Sequence, residues 1–189
     1  MHEEYFYCGN FIYLKLVELS DANKILDLRL NQNLNKYLST TPADIKLQEK
    51  WILQYKERER NGLEYYFSVI DKEYNFIGTI RIYEINYALK KFTIGSWIIK
   101  KGCDPRASLE SILAAEFYGY NILNLEYNYF DVRKKNKMVI NFHNSRNAEI
   151  ISEDEQNKYF LLKKNNFNEY LYKISRILTI KHKYYRSFE

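Results

Sequence analysis

Cysteine is scarce in this chain of 189 residues, which has only Cys8 and Cys103. The two lie far apart, and neither has a nearby partner. The sequence therefore offers no basis for a disulfide framework or a zinc site. We expect two free thiols in a reducing compartment and no bound metal.

Glycine and proline are also few, with 6 and 2 residues. No linker, repeat or low-complexity boundary interrupts the chain, so residues 1–189 are expected to form one domain. No apolar run is long enough to cross a bilayer, and Glu3 and Glu4 are unfavourable in a secretory leader. These absences predict a cytoplasmic protein without a membrane partner.

What the chain does contain is an apolar fraction of 46% and a net charge of +5. The first value is typical of a globular domain. The second favours anionic partners, either nucleic acid or small phosphorylated molecules, without choosing between them. The 19 tyrosines accompany frequent Asn, Lys and Ile, which we attribute to codon bias rather than to function.

Hydrophobic spacing predicts an α/β (α+β) fold with seven strands and five helices. Short connections indicate an antiparallel meander, whereas the later strand–helix–strand unit requires a parallel pair. The expected sheet is mixed, mostly antiparallel and flanked by helices. Its predicted strands are residues 11–17, 65–70, 76–83, 92–99, 125–132, 148–152 and 158–164, and its helices are about 21–30, 44–60, 107–121, 135–146 and 167–180.

Four segments carry a family resemblance, at residues 16–31, 48–55, 76–85 and 92–99. The last two read FIGTIRIYEI and FTIGSWII, with an Ile-Gly pair and a Gly-x-Trp. Their order resembles the GNAT (acyl-CoA N-acyltransferase) superfamily, in the branch of ribosomal-protein-type and nucleotide-sugar N-acetyltransferases. The resemblance covers about residues 11–164. It implies an enzyme that uses acetyl-CoA as co-substrate, held where the two central parallel strands splay apart.

The loop after the fourth strand of that family holds the pyrophosphate at a helix start, where free N–H groups and the helix dipole favour anions. Here the loop reads KKGCDPRASLES, and its one glycine, Gly102, does not match the glycine pattern of the family. An ordinary basic turn is the alternative. The resemblance implies that CoA is bound by Trp97, Ile98, Ile99, Lys100, Lys101, Arg106, Ala107, Ser108 and Asn136.

Residues 132–150 resemble the second conserved half of the family site. Asn136 falls on an Asn at a helix start, and His143 follows seven residues later, about two helical turns on the same face. Many members have there the Tyr that protonates the departing thiolate, and an imidazolium at His143 is expected to do the same. A histidine that caps its own helix end is the alternative. Asn147 replaces a family glycine and is expected to adopt a left-handed conformation.

Direct attack of an amine on the thioester requires a base. By analogy with the family, Glu84 at the end of the third strand and Glu126 at the start of the fifth are the candidates. The alternative for each is an ordinary solvated carboxylate.

The acceptor is expected to be an amino sugar linked to a nucleotide, because NFH at residues 141–143 and the Gly-x-Trp strand resemble acetyltransferases of surface-polysaccharide pathways. Trp51 is expected in the core. Acetylation of protein N-termini and nucleic-acid binding through the basic, aromatic tail at residues 181–189 remain alternatives, and a homodimer is left open. The resemblance implies acceptor contacts from Arg29, Asn31, Lys36 and Tyr37.

Overall fold

A computed structural model describes residues 5–175 and, for the backbone, residues 183–184. Its described strands form one nine-stranded sheet, with order β7-β8-β6-β5-β4-β3-β2-β1-β9. The elements are β1 (Tyr7–Cys8), β2 (Ile12–Leu16), α1 (Ala22–Leu30), α2 (Ile45–Arg60), β3 (Tyr65–Asp71), β4 (Phe76–Asn86), β5 (Lys91–Ile99), α3 (Pro105–Phe117), β6 (Tyr127–Arg133), α4 (Lys137–Asn144), β7 (Glu149–Glu153), β8 (Asn157–Lys163), α5 (Lys164–Ser175) and β9 (Lys183–Tyr184).

The predicted mixed sheet is confirmed, with β5 and β6 as its parallel pair among antiparallel neighbours. The predicted number of strands is corrected from seven to nine. The seven expected strands are β2 to β8, whereas β1 and β9 have two residues each. Strands this short show no alternation in a sequence, so only the pairing with β2 and β1 reveals them.

Local chemistry explains where the helices begin. Asp44 caps α2 by accepting from the backbone N–H of Lys46, and Asp104 caps α3, with Pro105 in the first turn. Asn136 caps α4 in the same way. The C-terminal helix begins earlier than predicted, at Lys164, and the predicted helical residues after 175 lie outside the described part of the chain.

The two faces of the sheet carry separate apolar cores. Helices α1 and α2 cover one face, with Ile25 and Ile52 fully buried against β3. Helices α3 and α5 cover the other, where Leu113 and Phe167 are fully buried. Removal of this apolar surface from water drives the layered arrangement. None of the helices in residues 5–175 is long and apolar enough to span a bilayer.

Candidate functional site

The parallel strands β5 and β6 pair only where they begin. Their ladder covers two positions, Lys91 opposite Tyr127 and Phe92 opposite Asn128. Beyond it, the Asn128 side chain takes the place of a backbone acceptor, because its Oδ1 accepts from the N–H of Ile94 at 3.2 Å. The two strands therefore separate after Ile94, as predicted.

A cleft of about 160 Å³ opens between the separated ends of the two strands. We call it the β5–β6 cleft. Its walls come from β5, β6 and the cap and inner face of α4. The side chains and backbone that line it include Gly95, Ser96, Trp97, Phe130, Asp131, Asn136 and His143.

Strand β5 bulges at this cleft. Its register against β4 shifts between Thr79 and Arg81, and Ser96 adopts a left-handed φ of 47°. Gly78 permits the close approach, because a Cβ there would lie 2.2 Å from the carbonyl oxygen of Ile98. The backbone of β5 between Gly95 and Ile98 is therefore not matched one-to-one by β4, which makes its N–H groups available to a ligand.

A second cavity, of about 440 Å³, lies on the face covered by α1 and α2. We call it the Arg29–Arg81 cavity. Ser96 lines both this cavity and the β5–β6 cleft, so the two spaces are neighbours at the bulge. Its lining includes Arg29, Ser39, Thr41, Trp51, Tyr66 and Arg81.

The Arg29–Arg81 cavity is cationic and partly aromatic. Among the described residues that line it, none is a carboxylate. Arg29 is oriented by its Nε, which donates to Thr41 Oγ1 at 2.6 Å. Arg81 stacks on Tyr83 at 4.0 Å and on Trp51 at 5.4 Å, and its Nη1 donates to Glu64 at 3.3 Å. Such a lining suits an anionic ligand that carries a ring.

His143 lies at the inner end of the cleft and is only 4% exposed. Arg146 Nη2 contacts its Nδ1 at 2.8 Å. Burial, and then the positive charge of Arg146, hold the pKa of His143 well below its usual value. The lowered pKa favours a neutral ring at neutral pH over the expected imidazolium, and the role of His143 stays a prediction.

The two carboxylates predicted as bases do not line the cleft. Glu84 lies at a second bulge between β4 and β5, this time in β4. It has a φ of 53° and accepts from Thr93 Oγ1 at 2.9 Å. Glu126 precedes β6, where its N–H donates to the carbonyl of Lys90 at the paired end of the strands. Their role as bases, directly or through water, stays a prediction. The carboxylate that does line the cleft is Asp131, on β6.

The predicted CoA contacts on β5 have different environments. Trp97 lines the cleft, and its Nε1 donates to Ser111 Oγ at 3.0 Å. Ile98 is buried in the core beneath α1 and α2, and Ile99 packs against the opposite core. Ile98 and Ile99 can therefore contact CoA mainly through their backbone groups. Asn136 lines the cleft and also caps α4.

The predicted phosphate loop is largely occupied by its own contacts. Lys100 Nζ donates to the carbonyl of Phe76 at 2.8 Å, and Arg106 pairs with Asp104 at 2.6 Å. The Asp104 carboxylate also accepts from the first turn of α3, where a phosphate was expected. Lys101 is exposed, Ala107 is buried, and Ser108 is half-buried beside them. Lys100 is thus hydrogen-bonded to a neutral carbonyl and Arg106 is ion-paired within the loop, and their contacts to CoA stay a prediction.

The predicted acceptor residues are only partly brought together. Arg29 lines the Arg29–Arg81 cavity, whereas Tyr37 lines the β5–β6 cleft and donates to the carbonyl of Lys135 at 3.1 Å. Asn31 lines a separate surface hollow beside Lys24 and Lys100, and Lys36 is exposed; neither lines the cavity or the cleft, and their acceptor contacts stay a prediction. Trp51 is half-buried; it packs against the core beneath α1 and α2, as predicted, and also lines the cavity.

Arg81 and Asp131 were missed by the sequence reasoning. A usable signal existed for Asp131, because Tyr127, Tyr129 and Asp131 alternate with buried residues and must share the open face of β6. No comparable signal marked Arg81, whose position depends on the packing of α2 against β4.

Comparisons with known proteins agree with this geometry. A family model for the acetyltransferase (GNAT) domain matches residues 12–145. A solved structure described as apo FdhC, a nucleotide-linked sugar GNAT, is 40% identical, with a TM-score of 0.81 over 90% of this chain and 96% of that one. No curated protein matches the sequence.

Spermidine N-acetyltransferase from Vibrio cholerae, solved with CoA and spermine, shares the fold at 20% identity. Its TM-score is 0.66, over 83% of this chain and 98% of that one. A mutant form of the Vibrio cholerae spermidine/spermine N-acetyltransferase SpeG is similar at 19% identity, with a TM-score of 0.67 over 85% and 98% of the two chains.

The chain belongs to the GNAT family of acetyltransferases. It is an N-acetyltransferase whose acyl donor is acetyl-CoA. The residues present suit a thioester-bearing arm, since the separated strands provide space and the Ser96 bulge provides unmatched backbone groups.

Proposed function

We propose that this enzyme transfers the acetyl group of acetyl-CoA to the amino group of an amino sugar carried on a nucleotide diphosphate. The observation that carries the proposal is the cationic Arg29–Arg81 cavity, which neighbours the β5–β6 cleft at Ser96. An acceptor held in the first space can thus present its amine to a thioester held in the second. The 40% identical relative described as a nucleotide-linked sugar GNAT supports the same acceptor class.

The charge of the cavity separates the acceptor classes. Arg29 and Arg81 would attract a diphosphate and repel a polyamine, which is itself a polycation. The half-buried indole of Trp51 gives a flat surface for a sugar or a base. An acidic lining, as a cationic acceptor would favour, is not found among the described residues of this cavity.

The side chains of the cleft have separate tasks in the proposed reaction. The amine nitrogen bonds to the acetyl carbon, the carbon–sulfur bond breaks, and its electron pair leaves with sulfur. Asp131 accepts the proton that the amine must lose, directly or through water. The unmatched N–H groups of β5 beside Ser96 polarise the carbonyl oxygen, and His143 faces the departing sulfur.

Acceptor identity can be tested by incubating the full chain and acetyl-CoA with amino-sugar nucleotides, spermidine and short peptides, and measuring the acetylated products. We expect acetylation of an amino-sugar nucleotide, and thermal stabilisation by the same compound through mass action. Acetylation of spermidine or of a peptide N-terminus, with no reaction of any sugar nucleotide, would contradict the proposal.

The cavity is tested by Arg29→Gln and Arg81→Gln. Each substitution removes a charged contact to phosphate, so KM for the sugar nucleotide should rise about 10- to 100-fold. KM for acetyl-CoA should stay unchanged. Arg60→Gln is the matched control, because Arg60 is exposed at the end of α2 and bonds within its own helix, to Glu57 and to the carbonyl of Lys56. If KM for the sugar nucleotide is the same in the native chain, Arg29→Gln, Arg81→Gln and Arg60→Gln, the cavity is not the acceptor site.

A further inference from the structure

A chain of buried polar groups crosses the interior behind the β5–β6 cleft. Glu116 on α3 and Arg146 after α4 are both 0% exposed at their side chains and are paired at 2.5 Å. A second contact joins Arg146 Nη2 to Glu116 Oε1 at 3.1 Å. Asn128 then donates to the same carboxylate at 3.3 Å and accepts from the backbone of Ile94, where the strands part. The ion pair is thus connected to both walls of the cleft.

The pair is joined to His143 in a way that determines the position of its proton. Arg146 Nη2 lies 2.8 Å from His143 Nδ1. A guanidinium has only donors, so Nδ1 must be the acceptor, and the one proton of the neutral ring must be on Nε2. The rings of Phe130, Phe142 and Phe160 surround the imidazole and hold its orientation. No group in residues 5–175 pairs with Nε2, and His143 lines the cleft.

Stability alone is a weak explanation for this arrangement. A buried ion pair has a desolvation cost that its attraction often fails to offset, and apolar replacements are frequently neutral or stabilising. Arg146 Nε is in addition buried without a hydrogen-bond partner in the described part of the chain. Burial raises the pKa of Glu116, which the hydrogen bonds and charge of Arg146 oppose. The ion pair of Glu116 and Arg146 therefore has a desolvation cost, and it lies behind the β5–β6 cleft.

We propose that Glu116 and Arg146 are positioning residues, which keep His143 neutral with its proton on Nε2, so that His143 stabilises the departing thiolate by donating a hydrogen bond. The inference rests on the proposed use of the cleft by the thioester, and not on which amine is the acceptor. His143 keeps its proton throughout. The proton released by the amine leaves through Asp131 or water, and the thiolate takes one from solvent after release.

The groups that can influence His143 come from several elements. Arg146 is in contact, and Glu116 on α3 lies behind it. Tyr170 on α5 lies 5.7 Å from the Arg146 guanidinium. Asp131 and Arg133 line the same cleft. The variants used below leave the last three groups in place.

Nitrogen NMR of the full chain tests the tautomer without any substrate. The chain has 3 histidines, and His143→Gln identifies the signal of His143. We expect one unprotonated nitrogen at Nδ1 and one protonated at Nε2, unchanged from neutral pH to mildly acidic pH. A protonated Nδ1, or an imidazolium at neutral pH, would overturn the proposal.

The double variant Glu116→Gln with Arg146→Met tests the pair without leaving a single buried charge. It should remain folded, because both charges are removed together. The signal of His143 should then shift to a mixture of tautomers, and its titration should move toward the ordinary histidine range. An unchanged tautomer and titration in the folded variant would show that the pair is only structural.

The thiolate role is tested by titrating the thiol of bound CoA through the ultraviolet absorbance of the thiolate. In the native chain its pKa should lie about one to two units below that of free CoA, as expected for a hydrogen bond to a charged sulfur. His143→Gln keeps a neutral N–H donor and should retain most of this shift, whereas His143→Leu should lose it. An equal pKa in all three proteins would overturn the proposal. Because no acceptor is present, a wrong assignment of the acceptor would leave this result unaffected.

Discussion

The two ends of the β5–β6 pair differ sharply. At the paired end, Phe92 is buried against Tyr120 at 5.0 Å between ring centres, and Gly119 lies against its ring. At the open end, the ladder is replaced by the side chain of Asn128, and Asp131 and His143 line the gap. The comparison shows that apolar packing holds the strands together at one end. The strands can then separate at the other end, where polar groups occupy a gap that a continuous ladder would close.

The largest expected effect is at the open end. Asp131→Asn removes the proposed base, so kcat should fall about 10²- to 10³-fold, with KM for acetyl-CoA little changed. Glu84→Gln and Glu126→Gln are matched controls away from the cleft and should keep kcat near the native value. Steady-state kinetics decide the matter. If Glu84→Gln or Glu126→Gln loses activity while Asp131→Asn keeps it, Asp131 is not the base.

The next effect is at the paired end and concerns stability. Phe92→Ala should lower the free energy of unfolding by about 3–4 kcal/mol, because a fully buried ring is lost and a cavity remains. Denaturant unfolding measures this value. Tyr87→Ala is the control, since Tyr87 is 49% exposed, and it should cost much less. A comparable loss in both would mean that the paired end is not the anchor.

The free energy of unfolding should depend on pH because of His143, at the open end of the strand pair. The folded pKa of His143 is depressed, so the unfolded chain binds a proton more readily and stability falls as pH drops below about 6.5. The slope from this residue should approach about 1.4 kcal/mol per pH unit. His143→Gln should remove that part of the slope in unfolding measured between neutral and mildly acidic pH, whereas Glu126→Gln should not. Parallel curves for the native chain and His143→Gln would contradict the depressed pKa.

The smallest effect concerns the bulge. Ser96 has a left-handed φ of 47°, which glycine adopts without strain, so Ser96→Gly should change the free energy of unfolding by less than about 1 kcal/mol. Ser96→Val should be clearly less stable, since a β-branched residue is a strong outlier there. Thermal unfolding compares the two. A valine variant as stable as the glycine variant would show that the bulge is not locally strained.

Much of the fold could be predicted from the sequence because its strands and helices carry periodic patterns. Asn147 adopts the predicted left-handed conformation, with a φ of 56°, since a helix end has a local chemical signal. The positions of Glu84 and Glu126 outside the cleft could not be predicted, because strand position does not reveal a bulge or the end at which two strands separate. The pairing of Asp104 with Arg106 in the predicted phosphate loop could not be predicted for a similar reason, because it depends on how the turn folds.

The sequence by itself determined the order of the elements and the parallel junction, because hydrophobic period, caps and turn residues act over a few neighbouring positions. Its motifs also carried the GNAT resemblance. Only the tertiary structure decided that Arg81 lines the same cavity as Arg29, that Asp131 is the carboxylate in the cleft, and that Arg146 contacts Nδ1 of His143. Those contacts join residues distant in the chain. They depend on packing and burial, which no local pattern encodes.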